Sequence, residues 1–390
     1  MAAFGGSGRT GARNAALDGL RGVAAVTVLG FHAWLYSRAD VRAVTHGADV
    51  GSRLLSELRI GLVLFFVLSG FLLFRPWVRH RLAGTLRPQL KTYARHRGAR
   101  ILPAAYVAIT GSILLLWPLQ GSPGVRLPPA DQLPLFFVFA ENQSAATVMR
   151  LNPPLWTLAV EVSFYVVLPL LAWAALRGRA RRAGLIAVPL VLIATGLLYN
   201  WWLSTIPIPP LTRSKTLPAM LPYFGLGMLA ATLAQGWRPS RRTAVLLALG
   251  SLALIVLDGW LHSGARGGTE LALRLRIIRD LPAAIGLAGL VALAAVRPGR
   301  LLAARPLVFL GEVSYGLYLW HVPILLLLRA HGLLPGSAVL AFLVALPCAT
   351  AAGWLSWRLV ERPAIAWSRR SRDPDAAQEP GKQLASVGHP

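Results

Sequence analysis

The sequence predicts an all-α, polytopic membrane protein of about ten transmembrane helices, and three observations lead there. Of its 390 residues, 55% are hydrophobic and only 14% charged, with a mean hydropathy of +0.56. That is too apolar for a soluble chain of this length. The apolar residues gather in stretches of about 17 to 25, the length a helix needs to cross the hydrocarbon core. Neither a fixed-period repeat nor a soluble catalytic domain is visible, so any chemistry belongs to the spans and their loops.

The first apolar segment, 17–37, follows Arg9 and Arg13 in the manner of a signal peptide. It contains His32 and lacks a small-residue cleavage site, so it reads as an uncleaved span. Further spans are expected near 59–77, 100–118, 155–176, 185–203, 217–235, 243–261, 281–297, 306–328 and 337–358. A shorter apolar run at 133–140 reads as re-entrant or interfacial. The Gly/Ser/Arg-rich residues 1–14 and the polar residues 366–390 hold too little apolar material to order themselves and read as cytoplasmic tails. Residues 15–365 form the membrane domain.

Ten spans put both termini on one side, and the positive-inside rule says which. With the N-terminus in the cytoplasm, roughly two thirds of the 40 lysines and arginines fall on the inner side. The acid-free stretch 75–100 contrasts with the mixed outer loop 38–59. The protein is therefore expected to be a multi-pass protein of the cell membrane, with the lipid bilayer as its first partner. The same topology accounts for the net charge of +25, which in a soluble chain would suggest nucleic acid; no nucleic-acid motif accompanies it. Inner basic clusters would also attract anionic head groups and polyanionic cofactors. A single cysteine, Cys348, excludes an intramolecular disulfide and a four-cysteine metal site, and no metal is expected.

Ionisable residues inside the spans carry the functional signal, because they are expensive there. Arg21 and His32 stand eleven residues apart in the first span, about three turns plus 20° and about 16 Å along a helix. Both side chains face the same way. Arg21 taken alone could be a cytoplasmic anchor; His32 lies in the outer half of the span. Glu161 in the fourth span and His321 in the ninth fall at a similar outer depth, although one sequence does not give the order of helices around a bundle. Ser314 lies two turns from His321 on one face, with Tyr318 on a neighbouring row. His321 could instead be an interfacial histidine beside Trp320. An isolated carboxylate such as Glu161 needs a partner or water.

These residues also carry a family resemblance. LDGLRG (17–22), the Arg21-x10-His32 spacing, FFVLSGFLL (65–73), RHRGARILPA (95–104), LWTLAVEVSFY (155–165), SYGLYLWHVP (314–323) and VERP (360–363) occur in order. Together they resemble the integral-membrane acyltransferase family 3, the sugar and secondary-metabolite O-acyltransferases, over nearly the whole chain. Where that family commonly carries Glu-Glu-Gln-Phe-Tyr, this chain has Glu161, Val162, Ser163, Phe164 and Tyr165. The second acid is absent, which puts a paired-carboxylate role in doubt. Nor is an extracellular esterase-like domain read after the membrane region, so transfer is expected to finish at the membrane site or with a separate partner.

The resemblance implies transfer of an acyl group, expected to be acetyl or another short acyl, from cytoplasmic acyl-CoA to a hydroxyl of a carbohydrate or glycosylated small molecule, with envelope polysaccharide and natural product both left open. On that expectation His32 is the general base or an acyl relay. Glu161 or Tyr165 would orient its imidazole. His321, Ser314 and Ser69 are candidate oxyanion donors, although Ser69 beside Gly70 also suits close helix packing. Arg21, Arg95, Arg97 and Arg100 would meet the donor's phosphates, unless they only mark the inner face. The 16 Å from Arg21 to His32 is about the reach of an extended phosphopantetheine arm. The competing class is a transporter whose polar pathway uses Arg21, His32, Glu161 and His321.

Overall fold

The computed structural model describes residues 14–38, 50–177, 180–264 and 280–370, and among these it is helical with no strand. The helices are α1 Ala15–Ser37, α2 Val50–Glu57, α3 Ile60–Ala83, α4 Leu90–Leu116, α5 Pro134–Phe137, α6 Leu155–Leu176, α7 Ala183–Ser204 and α8 Leu211–Ser214. They continue as α9 Leu217–Ala234, α10 Arg241–Gly264, α11 Leu281–Val296, α12 Arg305–Glu312, α13 Ser314–Ala330, α14 Ala338–Ser356 and, after a π-helical turn at Trp357–Glu361, α15 Arg362–Arg370.

Every predicted span falls on helix. Among the described residues, seven helices are long and apolar enough to cross a membrane: α3, α4, α6, α7, α9, α10 and α14. The predicted span 306–328 is broken instead into α12 and α13, bent by 74°, and would make an eighth. Helix α11, with 16 residues, is shorter, and α1 carries Asp18, Arg21 and His32. The run at 133–140 holds only the short α5. Helix α15 reaches Arg370, so residues 366–370 belong to a helix rather than to a tail. The predicted tail segments 1–13 and 371–390 lie outside the described residues.

The bundle is built around α1, which packs against α3, α12, α13 and α14. Its start is fixed by Asn14, whose side chain accepts from the amides of Ala16 and Leu17 and donates to the carbonyls of Ala294 and Ala295 at the end of α11. One residue therefore caps one helix and closes another. Glycine sets the distance to α12: a Cβ on Gly22 would come within 2.3 Å of the Leu307 carbonyl, and one on Gly311 within 1.9 Å of the Asp18 carbonyl. Backbones meet directly there, the contact that small residues permit inside membranes. The bend at Val313 has a local cause as well, since the Ser314 hydroxyl takes the Gly311 carbonyl at 2.8 Å, a side-chain bond that competes with the helix ladder.

Helices α6, α7, α9 and α11 pack with α3 into the largest apolar core, where the Phe164 and Phe224 rings stack with centroids 4.0 Å apart. Burial separates inner from outer helices. In the span ending at Ala234, 67% of the apolar window is buried, against 17% in α10. Helix α10 accordingly presents most of its apolar surface outward. Between α4 and α6, the segment 117–154 folds back over the end of the bundle, and Leu151 bonds the Arg126 carbonyl at 2.7 Å.

Candidate active site

Two cavities follow one another along α1. The inner one, of about 100 Å³, is lined by Arg21, Ser69, Arg97, Arg100, Glu161 and Tyr165, among others. The outer one, of about 1110 Å³, is lined by His32 together with residues of α3, α6, α9, α13 and the 117–154 segment. Leu62, Phe66, Thr157 and Tyr318 line both, so the cavities share a wall. The helical repeat that aligns Arg21 with His32 thus assigns one to each cavity.

Charge is concentrated in the inner cavity. Arg21 Nη2 donates to Ser314 Oγ at 3.2 Å, and that hydroxyl in turn donates a hydrogen bond to the Gly311 carbonyl. Glu161 Oε1 accepts from Ser69 Oγ at 2.7 Å and from the Tyr165 hydroxyl at 2.5 Å. Tyr165 is itself held by Tyr93, whose hydroxyl donates to the Tyr165 carbonyl at 3.0 Å. Three guanidinium groups, those of Arg21, Arg97 and Arg100, face this single carboxylate among the lining residues. An anion or a polarised carbonyl would be stabilised there. Arg95 lines neither cavity.

In the outer cavity the hydrogen bonds determine a tautomer. His321 is fully buried, and its Nδ1 lies 2.6 Å from the Tyr318 carbonyl. A carbonyl only accepts, so His321 Nδ1 carries the proton and Nε2 is left as an acceptor. That Nε2 lies 3.2 Å from His32 Nδ1, which is also 2.9 Å from the Val28 carbonyl. Two acceptors facing one nitrogen place the proton of His32 on Nδ1. His32 Nε2 then keeps its lone pair, on a ring that is only half-buried and lines the large cavity.

The wall between the cavities is polar. The Thr157 and Tyr318 hydroxyls lie 2.6 Å apart, and both reach the Pro154 carbonyl, at 2.9 and 3.2 Å. Pro154 immediately precedes α6, and its carbonyl is thereby shared between two side chains. Either hydroxyl can turn its proton to a group arriving from one cavity or the other.

Of the residues singled out from sequence, the structure brings His32 to His321, Arg21 to Ser314, and Glu161 to Tyr165 and Ser69. Glu161 and Tyr165 line the arginine cavity and make no hydrogen bond to His32, whose ring is held by Val28 and His321. His321 has both ring nitrogens engaged, and the Ser314 and Ser69 hydroxyls already donate hydrogen bonds to the Gly311 carbonyl and to Glu161. Thr157 was not singled out, and Tyr318 was placed beside the Ser314–His321 face without a role of its own. The signal was spacing: Thr157 stands one turn before Glu161, and Tyr318 three residues before His321. Glu361 was also passed over, although it lies in VERP. It is fully buried on the π-helical turn, where Oε1 accepts from Ser356 Oγ at 3.1 Å and Oε2 has no hydrogen-bond partner. A π turn is a frequent companion of functional sites.

A histidine-lined cavity thus lies beside an arginine-lined one inside an apolar helical bundle. A sequence profile described as an acyltransferase domain, that of acyltransferase family 3, matches residues 14–358, and the chain belongs to that family. The chain is 25% identical over 349 residues to the peptidoglycan O-acetyltransferase OatA of Listeria monocytogenes, with 80% of this chain and 49% of that protein covered. It is 26% identical to a putative acetyltransferase, ORF330, of Acidianus two-tailed virus, over 82% of this chain and 86% of that protein. The O-acetyltransferase OatA of Staphylococcus aureus is 24% identical, covering 89% of this chain and 56% of that protein. The chain thus spans about half the length of the Listeria and Staphylococcus relatives. No solved structure matches.

Proposed function

We propose that this acyltransferase is a membrane O-acetyltransferase that carries an acetyl group from cytoplasmic acetyl-CoA to a hydroxyl of a carbohydrate or glycosylated acceptor at the opposite face of the cell membrane. It would do so across ten spans with both termini in the cytoplasm. The relatives named as O-acetyltransferases support the reaction class. The observation that carries the proposal is the His32–His321 contact at 3.2 Å, which leaves a basic nitrogen facing the large cavity, across a shared wall from three arginines.

In this scheme Arg21, Arg97 and Arg100 meet the donor from the inner side. The small inner cavity has room for the thioester end of the donor and not for its nucleotide, which stays at the cytoplasmic face. The thioester carbonyl comes to the wall at Thr157 and Tyr318. An acceptor hydroxyl in the outer cavity gives its proton to His32 Nε2 while its oxygen attacks the carbonyl carbon. The imidazolium so formed is held through Nδ1 by Val28 and His321. Tyr318 or Thr157 donates to the oxyanion. The C–S bond then breaks and the departing sulfur takes the proton from His32, giving an ester and free CoA. Because the cavities share a wall, both substrates can be present together, which favours direct transfer over a relay on the histidine.

The test is transfer of labelled acetyl from acetyl-CoA to a cell-envelope extract by membranes carrying wild type or His32→Ala. Alkali-labile label is expected with wild type, with a loss of about 10³-fold or more in the variant at equal protein level. Equal activity in the two would overturn the mechanism.

A further inference from the structure

We infer that a third cavity, between the start of α1 and the end of α3, holds the phosphate-bearing nucleotide of the acyl donor, whose arm passes Leu72 into the inner cavity. The inference rests on the acetyl-CoA reading of the donor and adds where its phosphate esters bind.

The inner cavity, at about 100 Å³, is too small for a nucleotide, so that part of the donor needs a site of its own within reach of the thioester. A cavity of about 730 Å³, a size usual for a cofactor pocket, lies next to it. It is lined by Arg75 and Arg79 of α3, by Trp237 and Arg238 of the turn after α9, and by Asp18 of α1, one turn before Arg21. Leu72 lines both this cavity and the inner one, so the two meet there. Pro76 has no amide to offer the Leu72 carbonyl, which an unbroken helix would bond at this position. An acceptor without its usual helical donor thus stands at the junction, where the amides of a pantetheine arm would pass.

The register of α3 sets the reach. Phe66 lines the wall shared by the inner and outer cavities, and Arg75 and Arg79 follow it by nine and thirteen residues, about 14 and 20 Å along the helix. The Arg21 to His32 rise of about 16 Å, the reach of an extended phosphopantetheine arm, falls between the two. A thioester at the wall therefore brings its pyrophosphate between Arg75 and Arg79.

Inner-face arginines are expected from topology alone, but their arrangement is not. Arg75 and Arg79 stand one turn apart on one face of α3, where like charges repel, and Arg238 lines the same cavity from a different element. A phosphate ester between them turns that repulsion into charge-assisted bonding. Half-buried Arg75 has its guanidinium 5.8 Å from the centre of the Phe71 ring, a contact that holds the group without using its in-plane N–H donors. The Trp237 indole on the same lining offers a face for the base. An anionic lipid head group carries the same phosphate chemistry, and the experiment separates the two sources.

The test measures binding of labelled CoA to the full chain in phosphatidylcholine vesicles, with adenosine 3′,5′-bisphosphate as competitor. Wild type is expected to bind CoA and to release it to the bisphosphate. Arg75→Gln should weaken CoA binding about 10-fold, and Arg75→Gln with Arg79→Gln about 10²-fold, at low salt. Arg75→Lys with Arg79→Lys, which keeps both charges, should recover most of that loss. Unchanged CoA affinity in the double Arg→Gln variant, or no competition by the bisphosphate, overturns the inference and leaves the donor reading standing. If that variant has instead lost retention of labelled phosphatidylglycerol, the cavity belongs to a lipid head group. A loss that the charge-keeping variant shares in full assigns both arginines to the fold and overturns the inference as well. Wild type that binds no CoA overturns the acetyl-CoA reading, and the inference with it.

Discussion

The two cavities on α1 solve opposite problems. The inner one holds a carboxylate and three guanidinium groups, and its Ser69, Tyr165 and Ser314 hydroxyls are already committed to carboxylate, guanidinium or carbonyl. It is a small polar socket whose geometry is fixed before any ligand arrives. The outer one is roughly ten times larger, and its chemistry rests on one nitrogen left unoccupied by the bonding of two imidazoles. The difference teaches a division of labour: a fixed electrostatic cradle suits a donor common to many reactions, and a wide cavity with one reactive nitrogen suits an acceptor that varies.

That division can be broken most severely at the histidine pair. His321→Gln keeps size but cannot hold His32 Nδ1 in the same way, and kcat is expected to fall about 10²-fold with KM for acetyl-CoA little changed. A fall in donor affinity instead would merge the two cavities into one functional unit. A smaller effect of the other kind is expected from Arg97→Ala, which should raise KM for acetyl-CoA about 10-fold while the rate at saturating donor stays within a few-fold. Steady-state titration of donor at fixed acceptor separates these outcomes.

The smallest effect contrasts two buried carboxyl groups. Glu161 has hydroxyl partners, whereas Glu141, in the segment 117–154, has two buried oxygens without a hydrogen-bond partner among the described residues and is pushed up to about 8 by burial. The folded protein therefore keeps Glu141 protonated where the unfolded chain has released the proton, and stability is lost as pH rises from about 4.5 toward 8. Glu141→Gln should match wild type at pH 5 and melt about 2–4 °C higher at pH 8. An identical pH dependence of Tm in both proteins would remove this account of the residue.

Much of this was legible in the sequence. Hydrophobic runs located every spanning-length helix, and an eleven-residue separation was enough to place Arg21 and His32 on one side of α1. Depth brought His32 and His321 to the same level, and the structure puts them in contact. Helical periodicity reports a face and a height but not a neighbour, so Glu161 was expected beside His32 when it faces Arg21, Arg97 and Arg100. The bend at Val313 was hidden for a related reason. It depends on the Ser314 hydroxyl taking a carbonyl and on Gly311 meeting the α1 backbone, and neither contact disturbs the apolar pattern of 306–328. The π-helical turn that buries Glu361 leaves no mark on that pattern either.

The backbone contact between α1 and α12 has a consequence for selectivity. With Gly22 and Gly311 pressed against opposing carbonyls, α1 cannot slide to suit a longer or shorter donor. In the proposed scheme the helix acts as a gauge with two marks, one at Arg21 and one at His32, and the carbon to be attacked would stop at the second whatever acyl chain is attached to it. Chain length is then judged only beyond that mark, in the wide space the acceptor also occupies, so a bulkier acyl group would compete with the acceptor for room rather than with the donor's own anchorage.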